Sequence, residues 1–242
     1  MKWLVALAAA WVLNPAFALV IGVYELPPHM VVDGQPKVSG AVVDFVKEVI
    51  PASPEWGPVE LRASNFARNL RALEAGQIDM VVMVAKNAQR EKLFRYASAP
   101  LFLTRSGVVV LKSRQWSRLD ALEQLRGFKV GHANGSIVPA YFQNLGIEFQ
   151  PISGDEYFNR GLKMVELGRH DAYFAPTLTN AQYLLQRVEG GAQFTVLPLP
   201  VEPLGLYVVF SKTMNEKTVL KLDALISNNA ARYKELLRPY TR

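Results

Sequence analysis

The stretch from Met80 to Phe94, MVVMVAKNAQREKLF, changes from apolar to charged residues within a few positions and carries an arginine, Arg90, in its charged half. The apolar part, Met80 to Val84, predicts a buried strand. A guanidinium group offers a planar fork of N–H donors that matches a carboxylate. Because ligands of open α/β sheets bind beyond the strand ends, we expect Arg90 to hold an anion. The alternative is a solvated helix start with a surface arginine that pairs with a nearby glutamate.

Further side chains suited to binding follow other predicted strands. Tyr24 and Glu25 stand at the end of the first strand, where Glu25 either accepts a hydrogen bond from a ligand or is solvated at a loop edge. Gly135 and Ser136 lie between a predicted strand and a predicted helix. The glycine permits close backbone approach, and the serine can cap the helix, donate to an anion at its N-terminus, or do both.

Several classes of protein are excluded by the same residues. The three histidines, His29, His132 and His170, do not have the spacing of metal ligands, and no G-x-S-x-G nucleophile motif occurs. We therefore expect no catalytic residue, no metal and no cofactor. Lysine and arginine are scattered, so the net charge of +6 does not indicate binding to nucleic acid.

The elements that must position these residues alternate between strands and helices. Residues 19–24, 59–63 and 79–84 predict strands, and residues 41–50 and 65–77 predict the helices between them. This order predicts an α/β fold with a parallel sheet flanked by helices.

A second block repeats this pattern, which suggests two lobes of similar construction. Its predicted strands are SGVVVLK, FKVGHANGS and DAYFAP, and its predicted helices are LDALEQLRG, IVPAYFQNL, DEYFNRGLKMVELGRH and TNAQYLLQRV. The strand LGLYVVFSK and one or two tail helices then return to the first lobe. The chain would cross between lobes near 102–107 and 198–204.

The first 18 residues predict a secretory signal peptide, with Lys2, an apolar run from Trp3 to Leu13 and an Ala16-Phe17-Ala18 cleavage site. The run is shorter than the roughly 20 residues of a membrane-spanning helix, although an N-terminal anchor is the alternative. The absence of cysteine excludes a lipoprotein and disulfide bonds. We expect a soluble protein of the periplasm.

Four segments, in their order and spacing, carry a resemblance to a known family: ELPPHMVVDGQPKVSGAVVDFVKEV, NFARNLRALEAGQIDMVVMVAKNAQREKLFRYASAPL, LRGFKVGHANGS and MVELGRHDAYFAP. The chain resembles the bacterial extracellular solute-binding proteins of family 3, the periplasmic receptors of polar-amino-acid ABC importers. The resemblance implies a type 2 periplasmic-binding fold of two α/β lobes, each a mostly parallel sheet flanked by helices, joined by two hinge strands. It implies a first lobe of residues 19–104 plus 201–242, a second lobe of residues 105–200, and hinge closure around a ligand.

The resemblance also implies roles for single residues. Arg90 stands where the family clamps the carboxylate of its ligand, with Ala85 at the strand end before it. Phe66 stands where the family often places an aromatic wall, and a core phenylalanine is the alternative. Tyr24 and Glu25 are placed to line the cleft. The implied partners are a small organic or amino acid and a membrane permease or receptor, with the protein itself a monomer.

Two departures from the family pattern concern the ligand. Pro176 stands where amino-acid binders carry an aspartate for the ligand's ammonium group, and Asp171 belongs to the start of that strand, away from the cleft. Met83 and Ala85 replace a usual glycine and threonine, and offer only backbone groups. We therefore expect ordinary α-amino acids to bind poorly unless Glu25 takes over the missing role.

Two other functions stay open beside solute import. A ligand-loaded sensor that docks on a membrane protein would need the same closed form. An enzyme similar to a periplasmic cyclohexadienyl dehydratase would need a general acid in the cleft, for which Glu25 and His132 are the candidates. We expect that the protein is not an enzyme.

Overall fold

The computed structural model describes residues 18–32, 37–134, 136–153 and 156–241. The predicted signal peptide, apart from Ala18, lies outside the described residues, and so does the candidate ligand-binding residue Gly135. Within the described part of the chain, no helix is both long and apolar enough to cross a membrane.

Two main sheets organise the chain, and a short hairpin adds a third. The strands are β1 Leu19–Val23, β2 Val31–Val32, β3 Val38–Ser39, β4 Val59–Ala63, β5 Met80–Ala85, β6 Arg95–Tyr96, β7 Phe102–Thr104, β8 Gly107–Leu111, β9 Lys129–Ala133, β10 Glu148–Ile152, β11 Ala172–Ala175, β12 Phe194–Pro198 and β13 Leu204–Phe210. The first sheet has the order β4-β1-β5-β13-β6, with β7 also paired to β13. The second sheet has the order β10-β9-β11-β8-β12.

Both sheets are mixed. β1 pairs in parallel with β4 and β5, and β9 pairs in parallel with β10 and β11. The remaining pairings of β13 and β8 are antiparallel, so the antiparallel share is larger than the sequence predicted. β13 is the first strand after the chain returns to the first sheet, and it runs against β5, β6 and β7, which precede it in the chain. β8 is the first strand of the second sheet, and β11 and β12, which follow it in the chain, both run against it.

The α-helices are α1 Ala41–Val49, α2 Phe66–Glu74, α3 Ala88–Leu93, α4 Tyr157–Glu166, α5 Leu178–Leu185, α6 Glu216–Asn228 and α7 Ala230–Leu237. Asn65 caps α2 as predicted, since its side chain accepts a hydrogen bond from the backbone N–H of Arg68 at 2.9 Å.

The prediction of an α-helix is wrong for two segments of the second block. LDALEQLRG contains only a 3₁₀ turn at Leu122–Leu125, and IVPAYFQNL contains only one at Ala140–Phe142. In the second case Pro139 is the cause, because the ring of a proline disfavours helical dihedrals in the residue before it. Pro139 itself is extended, with φ −66° and ψ 149°.

Each sheet has its own core, and we call the part of the chain built around each sheet the first and the second lobe. In the second sheet the side chains of β8 alternate between two apolar clusters, with Val108 and Val110 on one face and Val109 on the other. The predicted boundaries at 104/105 and 200/201 stay predictions. Both fall between a strand of one sheet and a strand of the other.

A buried histidine lies in the core of the first lobe. The Nδ1 atom of His29 lies 2.6 Å from the hydroxyl oxygen of Tyr233, and the two rings stack with centroids 6.1 Å apart. His29 is 0% exposed, and burial lowers its pKa to about 4 because the charged imidazolium cannot be hydrated there. The fold therefore requires His29 to be neutral.

This requirement predicts a loss of stability in mild acid. The pKa of His29 in the folded protein is about 4, below the 6.5 of an unfolded chain, so the unfolded state takes up a proton first as the pH falls. The free energy of unfolding should therefore decrease from pH 6.5 towards pH 4, by about 3 kcal/mol in total from this group. Urea unfolding at a series of pH values measures the slope.

The variant His29→Gln should unfold with a flatter pH dependence between pH 6.5 and 5, whatever its absolute stability. Burial also lowers the pKa of His132 and His170, so a smaller slope of the same sign should persist. An unchanged slope in His29→Gln would contradict this assignment.

Candidate functional site

Arg90 lies at the end of β5, in the first turns of α3. The side chain of Asn87 accepts a hydrogen bond from the backbone N–H of Arg90 at 2.8 Å, which starts the helix immediately after the strand. The guanidinium folds back towards the strand, where Nη1 donates to the carbonyl oxygen of Ala85 at 3.1 Å. Its Cζ atom also lies 5.0 Å from the ring centroid of Phe66. The polar stretch is thus a capped helix start that holds Arg90 against the end of the strand, and its role as the floor of a ligand site stays a prediction.

The charge of Arg90 has no counter-ion among the residues that the structure describes. The nearby glutamate, Glu91, pairs instead with Lys86 at 3.8 Å, so the alternative of an Arg90–glutamate surface pair is wrong for this part of the chain. Burial lowers the pKa of Arg90, and the neighbouring Tyr96 and Tyr24 raise it less. A guanidinium has five N–H donors, and the described residues accept from one of them.

An aromatic wall stands beside the guanidinium. The rings of Tyr24 and Phe66 lie with centroids 4.7 Å apart at an angle of 52°. Phe66 is half-buried, packs against the core of the first lobe and also faces Arg90, while a contact between Phe66 and a ligand stays a prediction. Burial raises the pKa of Tyr24, which keeps its hydroxyl a neutral donor.

Met83 has an unusual backbone conformation in the middle of this site. Its φ is 64°, in the left-handed region, and the pairing of β5 with β13 shifts register beside it. Such a conformation costs a non-glycine residue about 1–3 kcal/mol, and such strain clusters at functional sites. A glycine would adopt this conformation without that cost. The result is that the Met83 carbonyl accepts from the hydroxyl of Tyr24 at 2.7 Å.

The backbone oxygens at Met83 and Ala85 thus bind the protein's own side chains. Ala85 accepts from Arg90 and also from the hydroxyl of Tyr96 at 3.1 Å. Burial raises the pKa of Tyr96 to about 12. These carbonyls position Arg90, Tyr24 and Tyr96, while a contact between Ala85 and a ligand stays a prediction.

The second lobe presents a different arrangement from the predicted one at Ser136. No helix begins there, so the prediction that Ser136 caps a helix is wrong. Its hydroxyl lies 2.9 Å from Nδ1 of His132, which also lies 3.0 Å from the carbonyl oxygen of Ala133. Burial lowers the pKa of His132. Ser136 and His132 therefore form a neutral polar pair at the end of β9.

Glu25 lies on the first lobe and Tyr157 on the second, and the charge of Glu25 acts on Tyr157. The Oε2 atom of Glu25 accepts from the backbone N–H of Val32 at 2.7 Å. Its negative charge adds to burial in raising the pKa of Tyr157, and Tyr157 in turn contributes to the raised pKa of Tyr24. Tyr157 is therefore within electrostatic range of Tyr24 and Glu25, and the sequence analysis did not single it out. The sequence contained a signal for this residue: Tyr157 is an aromatic residue at the first position of α4, as Phe66 is at the first position of α2.

Pro176 directly follows β11, and its carbonyl oxygen accepts from the hydroxyl of Ser106 at 3.1 Å. Asp171, at the start of that strand, pairs with Arg114 at 2.6 Å and accepts from the backbone N–H of Lys129 at 3.0 Å. Both carboxylate oxygens of Asp171 thus have partners at the far end of the strand. In the described residues, no group of three or more histidine, aspartate or glutamate side chains could hold a metal ion.

Solved structures share this fold over almost their whole length. An arginine-specific periplasmic binding protein of Salmonella typhimurium is 19% identical, with a TM-score of 0.69 over 94% of this chain and 100% of that one. The ligand-binding core of GluR0 in complex with L-glutamate is 14% identical, with a TM-score of 0.77 over 95% of this chain and 100% of that one. The VFT2 domain of Bordetella pertussis BvgS is 16% identical, with a TM-score of 0.73 over 92% and 93% of the two chains.

At this level of identity the structures establish the two-lobed α/β fold alone. No curated protein sequence matches the chain. The sequence profile of one family matches residues 19–238, which is nearly the whole of the described chain. The chain therefore belongs to the bacterial extracellular solute-binding proteins, family 3.

Proposed function

We propose that this protein is a periplasmic receptor that traps a small, carboxylate-bearing molecule between its lobes and delivers it to an ABC importer in the membrane. The observation that carries the proposal is Arg90, a half-buried guanidinium without a carboxylate partner among the described residues. A ligand carboxylate would supply the missing charge and accept from the N–H groups that still lack acceptors.

The surroundings of Arg90 favour a ligand with an apolar or aromatic body. Tyr24 and Phe66 offer a ring surface next to the guanidinium. Tyr157 from the second lobe would approach the same space as the lobes close. Closure would exclude water and so strengthen the contact between Arg90 and the carboxylate.

The site offers few negatively charged side chains for the ammonium group of an amino-acid ligand. Pro176 carries no charge at the position of the family's aspartate, and Asp171 is engaged at the other end of β11. The remaining candidate is Glu25, which already accepts from the backbone N–H of Val32. We therefore assign to the cleft an organic acid rather than an ordinary α-amino acid.

The rest of the arrangement follows the family. Residues 1–18 direct export and are removed, residues 19–104 with 201–242 form the first lobe, and residues 105–200 form the second. The protein works as a monomer, with the segments between β7 and β8 and between β12 and β13 as hinges, and it needs no cofactor. Delivery to an importer explains family membership more simply than docking on a membrane sensor, which would use the same closed form.

Catalysis has less support in the contacts of the two candidate acids. Glu25 accepts a backbone hydrogen bond, and His132 is held between Ser136 and Ala133 with a pKa that burial lowers. A general acid must be protonated at the working pH and must reach the substrate. The lowered pKa of His132 leaves less of its imidazole protonated at neutral pH, so we assign no catalytic residue.

The variant Arg90→Ala should lose binding of carboxylate ligands. Thermal unfolding of the purified protein would be followed with amino acids, organic acids, aromatic acids and prephenate. A ligand at 100 times its dissociation constant adds about 2.7 kcal/mol to the stability of the wild-type protein. Because a charge-assisted hydrogen bond contributes about 1.5–3 kcal/mol, Arg90→Ala should raise the dissociation constant at least about 10-fold.

The matched control is Arg71→Ala, which removes an exposed arginine from α2 and should leave the dissociation constant unchanged. Equal stabilisation of the wild-type protein and Arg90→Ala by a carboxylate ligand would refute the proposed anchor. If the protein consumed prephenate, its function would be that of an enzyme and not that of a receptor.

The missing ammonium site predicts a preference between paired ligands. An organic acid should bind more tightly than the α-amino acid with the same side chain, because the ammonium group would be desolvated without a partner. Calorimetric titration of such pairs measures the ratio of dissociation constants. Glu25→Gln should raise the dissociation constant of the amino acid in each pair and leave that of the organic acid unchanged. Micromolar binding of an α-amino acid that Glu25→Gln leaves intact and Pro176→Ala abolishes would contradict this assignment.

A further inference from the structure

A hydrogen bond between described residues joins the two lobes. The side-chain Nδ2 of Asn180, in the first turn of α5 of the second lobe, donates to the carbonyl oxygen of Pro27 in the first lobe at 2.7 Å. Pro27 follows Tyr24 and Glu25 closely in the chain and is buried, and Asn180 is half-buried. The bond therefore lies beside the residues assigned to the ligand.

The acceptor is fixed rigidly to the first lobe. Its loop closes on itself, since the backbone N–H of Met30 donates to the Leu26 carbonyl at 3.0 Å and the reverse bond from Leu26 to Met30 also measures 3.0 Å. The next residues are tied to α1, because Val42 donates to the carbonyl of His29 at 2.9 Å. The stacked pair of His29 and Tyr233 secures the same loop to the core.

The donor is fixed equally well to the second lobe. The neighbouring residue, Ala181, is 0% exposed and packs in the apolar cluster under α5. The start of the helix is tied to the strand connection, since the backbone N–H of Leu178 donates to the carbonyl of Arg105 at 2.9 Å. Neither end can follow the other when the lobes separate, so a hinge opening must break this bond.

We propose that Asn180 is a positioning residue that favours the closed arrangement of the lobes through its bond to Pro27, without contacting the ligand. In the open form both groups would bind water. The net free energy by which this bond favours the closed form is therefore that of one hydrogen bond exchanged with water. Its removal should reduce the ratio of closed to open protein about 2- to 10-fold. This part of the proposal does not require a known ligand.

A second consequence rests on the proposed function. If a ligand binds tightly only to the closed form, its apparent dissociation constant scales inversely with the closed fraction. Loss of the Asn180 bond should then raise the apparent dissociation constant of every ligand by the same factor. A residue that contacts the ligand, such as Arg90, would instead change the affinities of different ligands by different factors.

The experiment measures the distance between the lobes in the ligand-free protein. The chain contains no cysteine, so Glu74→Cys on the first lobe and Glu189→Cys on the second would provide two specific labelling sites at exposed positions. Single-molecule energy transfer between dyes at these sites reports the open and closed populations. The variants are Asn180→Ala and Asn180→Asp, which has the same size but no N–H donor.

The control is Asn159→Ala, the same change at an exposed position of α4 in the second lobe. Because alanine favours a helix more than asparagine, Asn180→Ala should not unfold α5, and thermal unfolding of the ligand-free variant checks this. Both Asn180 variants should move population to the longer distance, while Asn159→Ala should not.

Unchanged distances in the Asn180 variants, or an equal change in Asn159→Ala, would overturn the proposal. With an identified ligand, a loss of affinity that differs between ligands would also overturn it, since Asn180 would then be a ligand contact. Failure of every panel molecule to bind would count against the proposed function, and the distance measurement would still decide on Asn180.

Discussion

The charge of Arg90 is the constraint on which the rest of the site depends. A half-buried guanidinium loses hydration, and the structure compensates with one carbonyl, one aromatic ring and no carboxylate among the described residues. The end of β5, the cap at Asn87 and the carbonyl of Ala85 together hold this group at the carboxyl end of the strand. A stability optimum would place a glutamate beside Arg90. Glu91 pairs with Lys86 instead, so Arg90 has no carboxylate partner among the described residues.

Backbone strain and side-chain order are coupled around that charge. The left-handed φ of Met83 directs its carbonyl to the hydroxyl of Tyr24, and Tyr24 in turn packs against Phe66 under the guanidinium. The wall of the cleft is thus preorganised by contacts that lie behind it, which lowers the entropy that a ligand would have to remove. On the second lobe, Asn180 donates to Pro27 in the loop that follows Tyr24 and Glu25, and Tyr157 is within electrostatic range of Glu25.

The sequence predicted those features that depend on local pattern. Apolar runs and helical spacing identified β1, β4, β5, α1 and α2, and the asparagine cap of α2 followed from residue type. The helix expected over IVPAYFQNL failed because spacing alone gave too little weight to Pro139. The conformation of Met83 could not be foreseen, since a methionine gives no signal for positive φ. The approach of Tyr157 and Asn180 depends on the arrangement of the lobes, which local pattern does not contain.

A double-mutant cycle on the anchor tests the central claim most directly. Calorimetric titration would compare the best carboxylate ligand with its methyl ester, on the wild-type protein and on Arg90→Ala. If Arg90 binds the carboxylate, the ester should bind the wild-type protein more weakly than the acid, and Arg90→Ala should bind both alike. The coupling free energy would then be about 1.5–3 kcal/mol, the value of a charge-assisted hydrogen bond. Additive effects of esterification and mutation, with a coupling near zero, would contradict the account and place the anion elsewhere.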